Sequence, residues 1–208
     1  MFVTRHTHVV DTVLADKLWQ LYELAYGGLS QEAVTREMLY RSEFDSTIAD
    51  PTNRLWVLWD DNMPVGMSLV ATDIGSTRYL SRAYFELHYP DHMRRGVVHY
   101  IMWLVIHPAH VAKGAIVRLA KEGLALEASE GALLVFDSPA KNQPDVIGGF
   151  AEMMSRLSKA VAAEAPVHHL ETQHYFAVDF SAHADSDADS DADSDATRPL
   201  EVPLSLGQ

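Results

Sequence analysis

Ten residues, His107-Pro108-Ala109-His110-Val111-Ala112-Lys113-Gly114-Ala115-Ile116, join an apolar run at residues 97–106 to a segment with helical spacing. A strand end that meets a helix start leaves several backbone N–H groups without intrahelical partners, and the helix dipole puts partial positive charge behind them. Such a place attracts phosphate. Gly114 lets a ligand approach the backbone closely, and Lys113 adds a full charge. An ordinary strand-to-helix turn has the same signature, so the loop by itself leaves both readings open. The 11 histidines raise a second chemistry, metal binding, at His6 with His8, at His107 with His110, and at His168, His169 and His174. His107 and His110 sit across a proline in a loop, without a third ligand or a His-Glu-x-x-His helix to complete a shell. No metal site is expected.

The loop needs a strand before it and a helix after it, and the flanking patterns supply both. Residues 97–106 read as a buried strand, and a helix beginning near Gly114 puts Ile116, Leu119, Ala120, Gly123 and Leu124 on one face, with Arg118, Lys121, Glu122 and Glu127 on others. Upstream, residues 2–6 form a short strand. Leu14, Leu18, Leu21, Tyr22 and Ala25 then recur at helical spacing behind an Asp11 or Thr12 cap, and Gly27 and Gly28 end that helix. Ser30, followed by Gln31 and Glu32, caps a second helix expected to run to about Glu43, with Val34, Met38 and Leu39 inward. Two apolar strands flank the turn Asp60-Asp61-Asn62-Met63, the second starting at Pro64. Residues 76–96 look irregular or partly helical, broken by Pro90. A strand at 132–137, a helix at about 145–163 and a last strand at 174–180 complete an α/β (α+β) pattern.

Composition narrows the function classes. The 208 residues suit one domain with a tail and bury a substantial core. With no cysteine there is no disulfide, thiolate site or cysteine nucleophile, and a reducing compartment is the natural setting. A net charge of −13 argues against a nucleic-acid binder. The N-terminus has no signal-peptide pattern, and no apolar run reaches the ~20 residues that span a bilayer, so a cytoplasmic protein with no membrane partner is expected. Residues 184–196 carry Asp at every second position with only Ala and Ser between. The expected organisation is therefore a folded domain at 1–181 and an acidic, self-repelling tail at 182–208.

The run from His107-Pro108 through Val111-Ala112-Lys113-Gly114-Ala115-Ile116 to Gly131, set after the hairpin at 60–70 and two N-terminal helices, resembles the GNAT superfamily of acyl-CoA-dependent N-acetyltransferases. The likeness lies in pattern and element order over most of residues 2–180. It implies a mixed, mostly antiparallel twisted sheet flanked by helices, and acetyl-CoA or another acyl-CoA as co-substrate. The family pattern is Gln/Arg-x-x-Gly-x-Gly/Ala. Here Val111 stands at the Gln/Arg position and Ile116 at the second small one, and a missing charged side chain on a pyrophosphate costs about 1.5–3 kcal/mol. The resemblance places cofactor contacts at Leu104, Val105 and Ile106 on the fourth strand, along the loop from Val111, Ala112, Lys113 and Gly114 to Ala115 and Ile116, and at Asn142. It allows a homodimer.

Acyl transfer to an amine requires a base for an amine that titrates at about 8 to 10.4, a donor for the oxyanion, and a proton for a departing thiolate. The resemblance makes Glu86, His107 and Asp137 the catalytic candidates. Each has a plain structural alternative: a solvated helix residue for Glu86, a closed loop for His107 and a turn cap for Asp137. The family's usual acid, a Tyr after the fifth strand, has no counterpart at 138–163. Trp56, Trp59, Tyr84, Phe85, Tyr89, Tyr100 and Trp103 are either pocket liners or core. The leading expectation is direct transfer from acyl-CoA to a small-molecule or protein amine. A catalytically inactive binding protein of the same fold, and an N-acyl synthase served by an acyl carrier protein, are the alternatives.

Overall fold

A computed structural model describes residues 1–28, 38–139, 142, 149–162 and 164–178. Among these, five strands form, β1 (Phe2–His6), β2 (Asn53–Asp60), β3 (Met63–Ala71), β4 (Val98–Ile106) and β5 (Leu133–Val135). The helices are α1 (Thr12–Tyr26), α2 (Arg41–Ala49), α3 (Arg82–His88), α4 (Pro90–Arg95), α5 (Ala115–Glu130) and α6 (Phe150–Val161), with short 3₁₀ turns at Ile74–Ser76 and Pro108–Lys113. Met1–His169 forms one compact unit; the chain from Leu170 is a second, of which residues 170–178 are described. No helix among the described residues is long and apolar enough to cross a membrane.

The sheet order follows the chain, β1-β2-β3-β4-β5, antiparallel up to β4 and parallel between β4 and β5. Strand alternation gives the sheet two apolar faces. Leu55, Val57, Met67, Leu69, Trp103 and Val105 meet Leu18, Leu21 and Tyr22 of α1 and Phe44 and Ile48 of α2. On the opposite face Trp56, Leu58 and Val65 meet Ala115 and Leu119 of α5, while Val70 and Ile101 meet Leu124 and, from α6, Met154. α5 is thus the covered crossover that a parallel β4–β5 pair requires. Asp11 starts α1, its carboxylate accepting from the N–H groups of Val13 (2.8 Å) and Leu14 (3.2 Å). The β2–β3 turn places Asp61 and Asn62 at φ 45° and 63°, the left-handed pair that a two-residue hairpin loop demands.

Three expectations change. The helix expected from Ser30 to about Glu43 lies mostly outside the described residues, but it does not run unbroken to Glu43: residues 38–40 are not helical, and α2 begins at Arg41. The Glu43 carboxylate accepts from the Tyr40 N–H at 2.8 Å, so it occupies a first turn, where the dipole favours an acid, and not a last one. Residues 76–96 are partly helical as expected, with α3 and α4 separated at Pro90, which takes the first position of α4. β5 is shorter than 132–137, because Phe136 turns onto Phe150 (centroids 5.4 Å apart) and Asp137 is held by a side chain from β4. Finally, residues 174–178 carry no strand, and Tyr175, Phe176 and Val178 stand exposed. An alternating apolar pattern becomes a strand only where a neighbour takes its backbone groups.

Candidate active site

β4 pairs with β3 from Ala71↔Tyr100 to Gly66↔Ile106, but with β5 only from Val98↔Leu133 to Tyr100↔Val135. Beyond that point the two strands part and, among the described residues, the upper edge of β4 has no ladder partner on the β5 side. Which backbone groups face that edge follows from the ladder. The His107 N–H donates to the Val65 carbonyl (2.9 Å), and antiparallel alternation then directs Val105 toward β3 as well, while Leu104 and Ile106 point their N–H and C=O groups to the open side. At the foot of this edge the register shifts: Leu69 pairs with Trp103 but Val70 with Ile101, leaving Met102 as an extra residue. This β-bulge breaks the alternation, so Met102 and Trp103 both contact the α1 side.

The loop above the edge is the Pro108–Lys113 turn, closed by Gly114 at φ 70°, ψ 20° as the N-cap of α5. That left-handed conformation suits glycine, and a Cβ built there would meet nothing within 4 Å, so the loop opens onto free space. The Arg118 N–H donates to the Gly114 carbonyl (3.2 Å), the first bond of the helix, which leaves the N–H groups of Ala115, Ile116 and Val117 as its orphan donors. Ala112 and Lys113 are exposed, and Val111 is 61% exposed with an apolar side chain. Ala115 is buried against the sheet and Ile116 half-buried. Backbone donors and one lysine therefore fit a phosphate, while Val111 contributes no charge.

The three catalytic candidates are not brought together. Glu86 is exposed on α3 and bonded to Arg82 (2.7 Å), a hydrogen bond that raises the arginine's pKa; this is the environment of a solvated helix carboxylate. His107 accepts from the Ala109 N–H through Nδ1 (3.1 Å), capping the 3₁₀ turn at the far end of β4, with its ring edge-on to His110. His110 is in turn bonded to Asp60 (3.2 Å). Asp137 alone stands where β4 and β5 part. Its Oδ1 accepts from the Tyr100 hydroxyl (2.8 Å), a side chain from the last paired position of β4. Burial first, then the Asp137 charge and hydrogen bond, push the Tyr100 phenol far above its usual value, so it remains a donor. Asn142 is exposed, its N–H closing a turn onto the Pro139 carbonyl (2.8 Å).

No family model matches this chain, and no curated protein matches it either. Among solved structures, a protein from Pyrococcus horikoshii provisionally assigned as an acetyltransferase superposes at a TM-score of 0.50 with 13% identity, covering 67% of this chain and 81% of its own. The fold is that of the GNAT acetyltransferases. Aminoglycoside acetyltransferase meta-AAC0020 from an uncultured soil metagenomic sample, in complex with sisomicin, is similar at 14% identity and TM-score 0.47 over 83% of this chain and 95% of its own. Aminoglycoside 6'-N-acetyltransferase AAC(6')-IG from Acinetobacter haemolyticus is similar at 10% identity and TM-score 0.47 over 87% and 100%.

Within this GNAT fold two features escaped the sequence reading. In sequence Tyr100 is one aromatic residue among several; its partnership with Asp137 depends on where the β4–β5 ladder stops, which no local pattern encodes. The second is a buried polar network below the open edge. His99, 2% exposed, bonds Glu127, 3% exposed, through Nδ1; Arg54 bonds Glu127 (3.1 Å) and both oxygens of Glu130 (2.9 Å). His99, Glu127 and Glu130 bring their ligand atoms close enough for a cation, but the Arg54 guanidinium already serves both carboxylates. The network joins β2, β4 and α5 as a structural strut.

Proposed function

We propose that this chain is an acyltransferase that moves an acyl group from acyl-CoA to an amine by direct transfer. The observation that carries the reading is the parting of β4 from β5 above Tyr100 and Val135, with an open loop and a helix N-terminus at its far end. The N–H groups at the start of α5, with Lys113, bind the pyrophosphate. The outward N–H and C=O groups of Leu104 and Ile106 hold the amide-bearing arm by strand-like hydrogen bonds, as an added strand would be held. That places the thioester near the bulge, where a backbone N–H of the same edge stabilises the developing oxyanion. Asp137, at the fork, takes the proton from the attacking amine. As the tetrahedral adduct collapses, the C–N bond is complete, the C–S bond breaks, and the thiolate takes its proton from solvent.

Asp137→Asn keeps an oxygen for the Tyr100 hydroxyl and removes the base. It is expected to lower amine-dependent thiol release from acetyl-CoA by about 10²–10⁴-fold while acetyl-CoA still raises the thermal midpoint. Wild-type rates in that variant would remove Asp137 from the mechanism. A binding protein of the same fold that no longer transfers is the second reading, favoured by the uncharged Val111 at the loop. It predicts an acetyl-CoA shift without thiol release from any amine.

A further inference from the structure

A polar cavity of about 210 Å³ opens between the C-terminal end of α2, the start of β2 and the 3₁₀ turn Ile74–Ser76, and the bulge residue Met102 lines it. The lining is chemically one-sided. Ser46 and Thr47 each give their hydroxyl hydrogen to the Glu43 carbonyl (2.8 and 2.7 Å), and Ser76 gives its own to the Asp73 carbonyl (2.7 Å), so all three present lone pairs. Asp50 accepts from the Thr52 N–H and hydroxyl through Oδ1 (2.8 and 2.7 Å), which leaves Oδ2 for a ligand. Asn53 is 6% exposed; its Nδ2 donates to the Thr47 carbonyl (2.9 Å), and its Oδ1 has no partner. Thr77 accepts from the Tyr79 N–H (3.0 Å); its hydroxyl hydrogen and the second Nδ2 hydrogen of Asn53 are the side-chain donors left in a lining otherwise made of acceptors.

The field has the same sign as the lone pairs. α2 directs the negative end of its dipole at the cavity, and Asp50 at its C-cap adds a full negative charge. The nearby arginines do not offset this: Arg78 approaches Glu43 (3.9 Å) and lies over the Tyr79 ring, and Arg82 is bonded to Glu86. A cavity this small and this polar suits neither an acyl chain nor a protein segment. Its volume lies below the roughly 300–1,000 Å³ of pockets for drug-sized ligands.

We propose that this cavity binds the acceptor as a small cation rich in hydrogen-bond donors, an amine carrying a further ammonium besides the reacting nitrogen, and that Asp50 selects for it. The transfer step rests on the acyltransferase reading above; the binding does not. Calorimetric titration of the full chain with spermidine at low salt reads binding without turnover. Asp50→Asn retains an oxygen for both Thr52 donors and should weaken spermidine binding about tenfold or more, the worth of one charge-assisted hydrogen bond. Glutamate and glycerol should bind at least as much more weakly than spermidine. Thr77→Val, on the facing wall, should weaken spermidine binding severalfold and serves should Asp50→Asn not fold. Unchanged spermidine affinity in the folded variants, or glutamate bound as tightly as spermidine, overturns the proposal. An acetyl-CoA thermal shift on the same samples separates the two ideas: a shift with no Asp50-dependent amine binding sinks the cavity alone, and amine binding with no shift sinks the acyltransferase reading alone.

Discussion

Gly114→Glu sets a carboxylate at the mouth of the loop where the pyrophosphate would lie. A Cβ at this position meets nothing within 4 Å, so the substitution makes no clash, and its cost is the left-handed backbone at φ 70°. That cost is about 1–2 kcal/mol. For a domain of this size, about 2–4 °C per kcal/mol, the midpoint should fall by roughly 2–8 °C. Gly96→Glu is a matched control: Gly96 has φ 66°, an equally open surrounding and the C-cap of α4, at the opposite end of β4 from the loop. In wild type, acetyl-CoA at about 100 times its dissociation constant adds about 2.7 kcal/mol, a rise of roughly 5–10 °C. Gly96→Glu should keep that rise from its lower baseline, and Gly114→Glu should lose it, because the new charge opposes the phosphates and the glutamate fills their approach. Differential scanning fluorimetry with and without acetyl-CoA reads both quantities. A full ligand shift in Gly114→Glu, or equal loss in both variants, refutes the assignment of the loop as a phosphate cradle.

Three further outcomes test the framework around the site. Glu127→Ala leaves His99 and Arg54 without their buried acceptor and should cost about 3–5 kcal/mol in urea unfolding; a loss below about 1 kcal/mol would mean that the network is not a strut. Gly123→Ala projects a methyl 3.6 Å from Trp56 Nε1, beside a cavity of about 30 Å³, and should stabilise α5 by about 1 kcal/mol, raising the midpoint by roughly 2–4 °C. A fall instead would mean that a water there serves the otherwise unpartnered indole N–H. Tyr100 keeps its proton in the folded state at pH values where the unfolded chain releases it, near about 10. Its contribution is intact below that pH and declines above it, by up to about 1.4 kcal/mol per pH unit. Tyr100→Phe should therefore flatten the alkaline fall in stability, measured by denaturant titration from pH 8 to about 11; an unchanged slope contradicts the raised phenol.

The local features of the site were legible because their causes are local. Asp11 ahead of Leu14 and Leu18 marks a capped amphipathic helix, Asp61-Asn62 between apolar runs marks a tight hairpin, and Gly114 followed by Ile116, Leu119 and Leu124 marks a turn into a helix. α2 is not legible beyond Glu43 because its apolar signal is only Phe44 and Ile48, one turn apart among polar residues, and its ion pairs from Arg41 to Asp16 and Asp45 include one across 25 positions of chain. β4 shows a different kind of limit. An almost wholly apolar run has no alternation to break, so nothing in Ile101-Met102-Trp103 announces a bulge, and nothing in residues 132–137 says that pairing stops at Val135.

Those two silent features nevertheless decide what the loop can serve. With a regular β4, Met102 would face away from Trp103, and with β5 continued in the same register beyond Pro139, the N–H and C=O groups of Leu104 would be consumed by a ladder. The helix N-terminus at Gly114 would then overlook a closed sheet. Because Phe136 leaves the ladder for Phe150 and Asp137 leaves it for the Tyr100 hydroxyl, the upper half of β4 keeps its hydrogen-bonding edge among the described residues. The bulge meanwhile turns Met102 toward the α2 side, where it lines the acceptor-rich cavity. Donors for a phosphate lie at one end of that edge, and Asp137 and the cavity lie at the other. Restoring the ladder would abolish the arrangement without altering any of the side chains that the sequence motif contains.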